Sequence, residues 1–167
     1  MTKTVTQIDC PKEWERVDDW DSHKPMLWLA LENTNDEVVE LGCGFGSTPF
    51  IKEYCLNNNR EFVTYETNKD WAEKVGSVHT GNYFKELGKN DLVFIDCAPG
   101  EIRKDLIEYY ADMVGVIVGH DVEVGAEYVY GMANILSTFK YRIDYKPQGK
   151  PQTAIVSNKI DVTKWAE

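Results

Sequence analysis

Basic residues are scarce in this chain. Lys and Arg number 18 against 28 Asp and Glu, a formal net charge of −10 over 167 residues. An excess of this sign repels polyanions and makes a nucleic-acid partner unlikely. Cysteines are few: Cys10, Cys43, Cys55 and Cys97 form neither a metal-type pair nor a dense disulfide framework. They read as free thiols, in keeping with a reducing compartment. Long apolar runs and a signal-type leader are missing, so the expectation is a soluble cytoplasmic protein with no membrane partner. No internal repeat, low-complexity tract or linker stands out. The length suits one domain, residues 1–167, with a sizeable core.

What is there is organised around Val38-Val39-Glu40-Leu41-Gly42-Cys43-Gly44-Phe45-Gly46. Val38, Val39 and Leu41 suit a strand covered on both faces. The glycines let the backbone turn sharply and lie close to a ligand. A helix follows from about Ser47, with Pro49 tolerated in a first turn that needs no N–H from it. Its free N–H groups face a negative group. An ordinary strand–turn–helix needs one such glycine, not three with an acid before them. A dinucleotide fingerprint reads Gly-x-Gly-x-x-Gly and docks a pyrophosphate. Here Glu40 would repel a pyrophosphate and suits a ligand carrying an ammonium or sulfonium.

The rest of the chain alternates strands and helices. Strands are expected at 61–66, 77–80, 91–96, 115–119, 140–145 and 152–157. Helices are expected at about 47–58, at 68–75 with Asn68 as cap, at 101–112 with Ile102, Leu106, Tyr109 and Met113 on one face, and at 122–138 with Val129, Met132, Ala133 and Leu136 inward. Before the first of these strands, Pro25 opens a helix whose apolar face runs to Leu31. Trp14, Val17 and Trp20 recur at helical spacing, which predicts packing, and residues 1–25 form an N-terminal helical or cap segment whose first 11 residues are mobile or a sheet edge. The alternation predicts an α/β fold: a Rossmann-like, doubly wound, mostly parallel sheet with one late antiparallel strand. Polar residues close four strands, at Glu40, Glu66, Asp96 and His120-Asp121, where ligands of open α/β sheets sit.

The pattern Glu40-x-Gly42-x-Gly44-x-Gly46 resembles motif I of class I S-adenosylmethionine (SAM)-dependent methyltransferases, and the similarity of element order runs from about Met26 to Ser157. The resemblance implies a seven-stranded sheet and SAM as cofactor. It places Glu40 at the methionine ammonium, directly or through water, and the backbone of Gly42, Cys43, Gly44 and Gly46 against the methionine end and ribose. It makes Glu66, 26 residues after Glu40, the acceptor for the ribose hydroxyls, a role chemically suited to a carboxylate. Thr67 and Trp71 are candidates beside the adenine. Asp96 faces the methyl-transfer centre as general base, ammonium ligand or metal ligand. The loop Asp96-Cys97-Ala98-Pro99 lacks the Asp-Pro-Pro-Tyr signature of adenine-N6 enzymes.

His120 suits proton abstraction near neutral pH. His120-Asp121-x-Glu123 also looks like the metal-binding acidic pair of catechol O-methyltransferase, and Asp96 with Asp121 would offer Mg²⁺ two oxygen ligands. Lys24 is placed to meet the methionine carboxylate or an acidic substrate, or to sit in a solvated loop. The expectation is a methyltransferase acting on an oxygen or nitrogen of a small molecule, with Asp96 and His120 as catalytic residues. Recognition of the acceptor would draw on the N-terminal segment, a homodimer or a second protein. The alternative is a SAM-binding sensor or partner subunit without transfer activity. An NAD-binding domain is weakened by Glu40.

Overall fold

The computed structural model describes residues 1–15, 18, 20–89, 91–123 and 130–166. Eight strands form one sheet in the order β1-β7-β8-β6-β5-β2-β3-β4. They are β1 Thr2–Val5, β2 Val38–Leu41, β3 Phe62–Glu66, β4 Val78–His79, β5 Leu92–Ile95, β6 Val116–His120, β7 Tyr141–Tyr145 and β8 Thr153–Ser157. All neighbours pair parallel except β8, which runs antiparallel between β6 and β7. This is the expected late antiparallel strand. The extra strand over the expected seven is β1, which pairs parallel with β7 from Thr2↔Arg142 to Val5↔Tyr145.

Period two explains why the central strands read as continuous apolar runs. Val38, Leu92, Phe94, Val116 and Val118 point to one face, with Met26, Leu27, Leu31 and Ile51. Val39, Val93, Ile95 and Ile117 point to the other, with Leu106, Ile107, Tyr110 and Leu136. The helices α1 Lys24–Glu32 and α2 Thr48–Asn57 therefore cover the first face. The helix α4 Ile102–Tyr110 and a later helix over Met132–Ser137 cover the second. Between β3 and β4 lies α3 Lys69–Val75, capped as expected by Asn68, whose side chain accepts from the Trp71 N–H.

Three packing expectations change. Trp20 is 85% exposed and does not pack as its spacing predicts; among the described residues the 3₁₀ helix ends at Trp14 and α1 begins at Lys24. Trp14 is buried, against Trp28, Phe50 and Tyr54, whereas Val17 lies outside the described residues. In α4 the fully buried tyrosine is Tyr110, with Tyr109 left 40% exposed. Tyr110 is held there because its hydroxyl donates to the Tyr83 carbonyl at 2.7 Å. Of the helix expected at 122–138, residues 124–129 with Val129 lie outside the described residues, Val122 and Glu123 are not helical, and over Met132–Ser137 Met132 and Leu136 are buried while Ala133 is exposed.

Sequence order reverses direction between β2 and β5: the chain leaves β2 towards β3 and β4, then returns to build β5 and β6 on the other side. The crevice beyond the carboxyl ends of β2 and β5 is where open α/β sheets bind ligands.

Candidate functional site

The crevice contains a cleft of about 770 Å³. Gly42 to Ser47 form one wall, Asp96 and Ala98 a second, and His120 and Asp121 a third. His23, Arg103, Trp71 and the exposed Trp20 complete much of its lining. The glycine turn, Asp96 and His120, which the sequence placed at the ends of three strands, thus meet in one space.

The turn is shaped by two different glycine requirements. Gly42 has φ of 90°, and a Cβ there would run into the Cys97 backbone, so β2 and β5 can close together only over glycine. Gly44 is the opposite case. Among the described residues nothing lies within 4 Å of the place its Cβ would take. Its own fold does not demand glycine there.

Glu40 does not line the cleft. Its carboxylate is completely buried beneath the turn, where it accepts from the Ser47 hydroxyl and, at 2.7 Å, from the Thr48 hydroxyl. The Thr48 oxygen in turn accepts from the Gly44 N–H at 3.0 Å. Burial raises the pKa of Glu40 to about 7 against these hydrogen bonds. In this geometry the acid before the glycines clamps the turn to the start of α2, so the expected direct hold on an ammonium is not what its oxygens do.

Glu66 also faces inward. It accepts from the Cys43 N–H at 3.3 Å, the Asn68 N–H at 2.9 Å and the Tyr83 hydroxyl at 3.1 Å. Thr67 is tied to the same Tyr83 hydroxyl by its N–H at 3.2 Å. Trp71 lies on the cleft with its indole N–H donating to the Cys43 carbonyl at 2.8 Å and its ring edge-on to Phe45. Cys43 contributes its backbone. Its thiol is pushed up to about 11, first by burial, and is inert at neutral pH.

At the other end of the cleft, Asp96 is the hub. Arg103 reaches it at 2.9 Å and reaches Asp121 at 2.8 Å, while donating from Nε to the Cys97 carbonyl at 2.8 Å. His120 Nδ1 lies 3.3 Å from Asp96 Oδ2 and His23 Nδ1 lies 4.0 Å from the same oxygen. Burial would raise the pKa of Asp96, but His120, Arg103 and His23 together hold it down to about 2. Burial opposes charge on His120, yet Asp96 and Asp121 leave its pKa raised. His23 is lowered to about 4, by burial first and then by the neighbouring His120. Asp121 sits in a left-handed conformation at φ of 56°, a local strain typical of functional turns.

These contacts correct the Mg²⁺ expectation. A guanidinium bridges Asp96 Oδ1 and Asp121 Oδ2, so a fixed cation already stands between the two carboxylates. Mg²⁺ needs oxygen ligands and room for its waters, which this pair does not offer. Lys24 is not available to a ligand either. Its Nζ lies 3.6 Å from Asp21 and 3.9 Å from the centre of the Phe50 ring.

Two participants escaped sequence reasoning. Arg103 stands on the first turn of α4, within the Asp96 loop and helix start, where an Arg reads as a solvated helix residue. His23 precedes α1, and its only sequence signal was a histidine immediately before a Lys-Pro helix start. Its ring is brought to β5 and β6 by the packing of α1 on the sheet, at 5.0 Å from Phe94 and 4.9 Å from His120.

No protein-family model and no curated protein sequence matches the chain. Solved structures do. The N-terminal domain of human METTL16 in complex with SAH aligns over 93% of this chain and 76% of its own, with a TM-score of 0.52 at 11% identity. A methyltransferase from Pyrococcus furiosus aligns over 81% and 82%, with a TM-score of 0.51 at 16% identity. Human methyltransferase 10 domain containing protein aligns over 92% and 88%, with a TM-score of 0.51 at 10% identity. The fold is therefore that of class I methyltransferases, Rossmann-like as expected.

Proposed function

We propose that the chain is a SAM-dependent methyltransferase that acts on an oxygen or nitrogen of a small molecule. The observation that carries this reading is the single cleft joining the glycine turn to the Asp96–His120 pair. The open face of Gly44 supports close approach of a ligand to the turn, since no protein atom among the described residues uses that space. The backbone of Gly42 to Gly46 would lie along the cofactor, and Trp71 with Phe45 would border its base. Glu66, one hydrogen bond behind Cys43, would take the ribose hydroxyls on a small outward turn of its side chain. Bound SAM supplies an activated methyl group, and the chain supplies alignment and exclusion of water.

Asp96 and His120 are the proton handlers. Asp96 remains ionised beside Arg103, and His120 passes its proton between the acceptor and the cleft. Arg103 holds the carboxylate in place through its tie to Cys97. The net charge of −10 argues for a small acceptor over a polyanion.

The test is calorimetric titration of the protein with SAM and with S-adenosylhomocysteine. Micromolar binding is expected, and Gly44→Val should abolish it while leaving thermal unfolding unchanged. A Gly44→Val protein that binds as well as wild type would remove the glycine turn from the cofactor site. Binding without transfer to any hydroxyl- or amine-bearing acceptor would favour the SAM-binding module over the enzyme.

A further inference from the structure

His23, His120 and Asp96 form a cluster that acid–base chemistry alone does not account for. His23 Nε2 lies 3.3 Å from the Gly46 carbonyl. A carbonyl only accepts, so the proton of a neutral His23 is on Nε2 and its Nδ1 carries a bare lone pair. That lone pair points at Asp96 Oδ2, itself an acceptor, 4.0 Å away. His120 approaches the same oxygen, with Nδ1 3.3 Å from Asp96 Oδ2 and Nε2 2.9 Å from the Ser22 hydroxyl, which can donate to it or accept from it. Both rings are almost completely buried, and neither Nδ1 has an aligned hydrogen-bond partner. The His23 lone pair and the Asp96 oxygen are both electron-rich, and a positive centre between them and His120 Nδ1 would satisfy all three.

We infer that His23 Nδ1, His120 Nδ1 and Asp96 Oδ2 are the protein ligands of a divalent transition-metal ion of the Zn²⁺ and Co²⁺ type. The donor atoms all lie within 4.8 Å of one another. Metal–nitrogen and metal–oxygen bonds of about 2.0–2.1 Å in a tetrahedron put ligand atoms about 3.4 Å apart. The Asp96–His120 separation of 3.3 Å already meets this, and His23, 4.0 Å from Asp96 in a set that spans up to 4.8 Å, needs to close by about 1 Å.

Two imidazole nitrogens and one carboxylate oxygen select such ions over Mg²⁺, which prefers oxygen. The outer shell is also present: Gly46 and Ser22 hold the remote ring nitrogens, and Arg103 holds the other carboxylate oxygen, as metal sites require to orient their ligands. Charge agrees, since Asp96 and Asp121 face one guanidinium. All three ligands line the cleft, so the remaining position would open towards the acceptor. A hydroxyl or water bound there would release its proton near neutral pH, so with the ion in place His120 serves as a ligand and this position takes over the proton step.

The experiment uses chelator-treated, dialysed protein titrated with Co²⁺ alone, read by visible absorption, and then with Zn²⁺ in competition. One equivalent of Co²⁺ is expected to give visible d–d bands without near-ultraviolet thiolate bands, to be displaced by Zn²⁺ and to be unaffected by Mg²⁺. His23→Gln and His120→Gln should each weaken binding at least about tenfold, a loss no smaller than outer-shell changes cause. Ser22→Ala keeps all three ligands but removes an outer-shell partner and should weaken binding about tenfold, which decides the matter if the histidine variants fail to fold.

Absence of the bands, thiolate bands showing capture by a cysteine, or bands unchanged in the histidine or serine variants would overturn the site. The metal titration is independent of SAM binding. A protein that binds SAM but no Co²⁺ loses this inference and keeps the methyltransferase reading, and the reverse result separates them equally well.

Discussion

Glu40 and Asp96 stand at the same edge of the sheet, at the ends of β2 and β5, which pair directly from Val38↔Leu92 to Leu41↔Ile95. The two carboxylates are nevertheless driven in opposite directions. Glu40 is sealed beneath the glycine turn among hydroxyl groups only, and burial lifts it to about 7. Asp96 keeps an opening to the cleft and is surrounded by a guanidinium and two imidazoles, which hold it at about 2. Hydroxyl donors orient a carboxylate but do not offset the loss of water, whereas a fixed cation does. One acid has become a structural clamp and the other a charged centre.

The largest expected effect comes from removing the cation that separates the two cases. Arg103→Ala should cost about 4 kcal/mol in urea unfolding at neutral pH, because it leaves Asp96 and Asp121 without their shared counter-charge. A loss below about 1 kcal/mol would mean that water already screens Asp96.

Glu40 gives the next effect, through pH. Its folded-state pKa is raised from 4.5 to about 7, so the native state binds the proton more tightly than the unfolded chain. Its contribution to stability is present below pH 4.5 and is lost as pH rises through about 7. Wild type should therefore lose about 3 kcal/mol relative to Glu40→Gln between pH 4.5 and 8. Parallel stability curves for the two proteins would show Glu40 to be solvated.

Smaller still is Thr48→Val. It removes one donor to Glu40 and the acceptor of the Gly44 N–H, at an expected cost of about 2 kcal/mol in the same unfolding assay. Gly44→Ala should change stability by less than about 0.5 kcal/mol, in keeping with the open space at that position. A larger loss in the unfolding midpoint would place hidden protein contacts there.

Much of this arrangement could be read from residues alone, and the reason is local. Strands such as Val38-Val39-Glu40-Leu41 and Leu92-Val93-Phe94-Ile95 announce themselves as apolar runs. The polar residues that close them are then carried by the topology to one edge, which is how Asp96 and His120 were placed together. What was not legible depends on contacts between distant segments. Glu40 looked like a ligand-facing acid because the spacing says where a strand ends, not which way its last side chains turn. His23 enters only because α1 packs across β5 and β6. Thr2–Val5 is too short and polar to announce a strand, and it pairs only because β7 leaves an edge for it. Spacing put Tyr109 on the inner face of the helix, and a hydrogen bond to Tyr83 holds Tyr110 there instead.

The pairing of β1 with β7 sets a timetable for synthesis. The amine of Met1 donates to the Lys140 carbonyl, across 139 positions of the chain. β1 is translated well before β7 and thus has no partner in the sheet until β7 has emerged. At 5–20 residues per second the wait is roughly 7–28 s. During that time the residues of β1 are bare nascent chain, open to a chaperone, and this seam of the sheet closes only once β7 is in place.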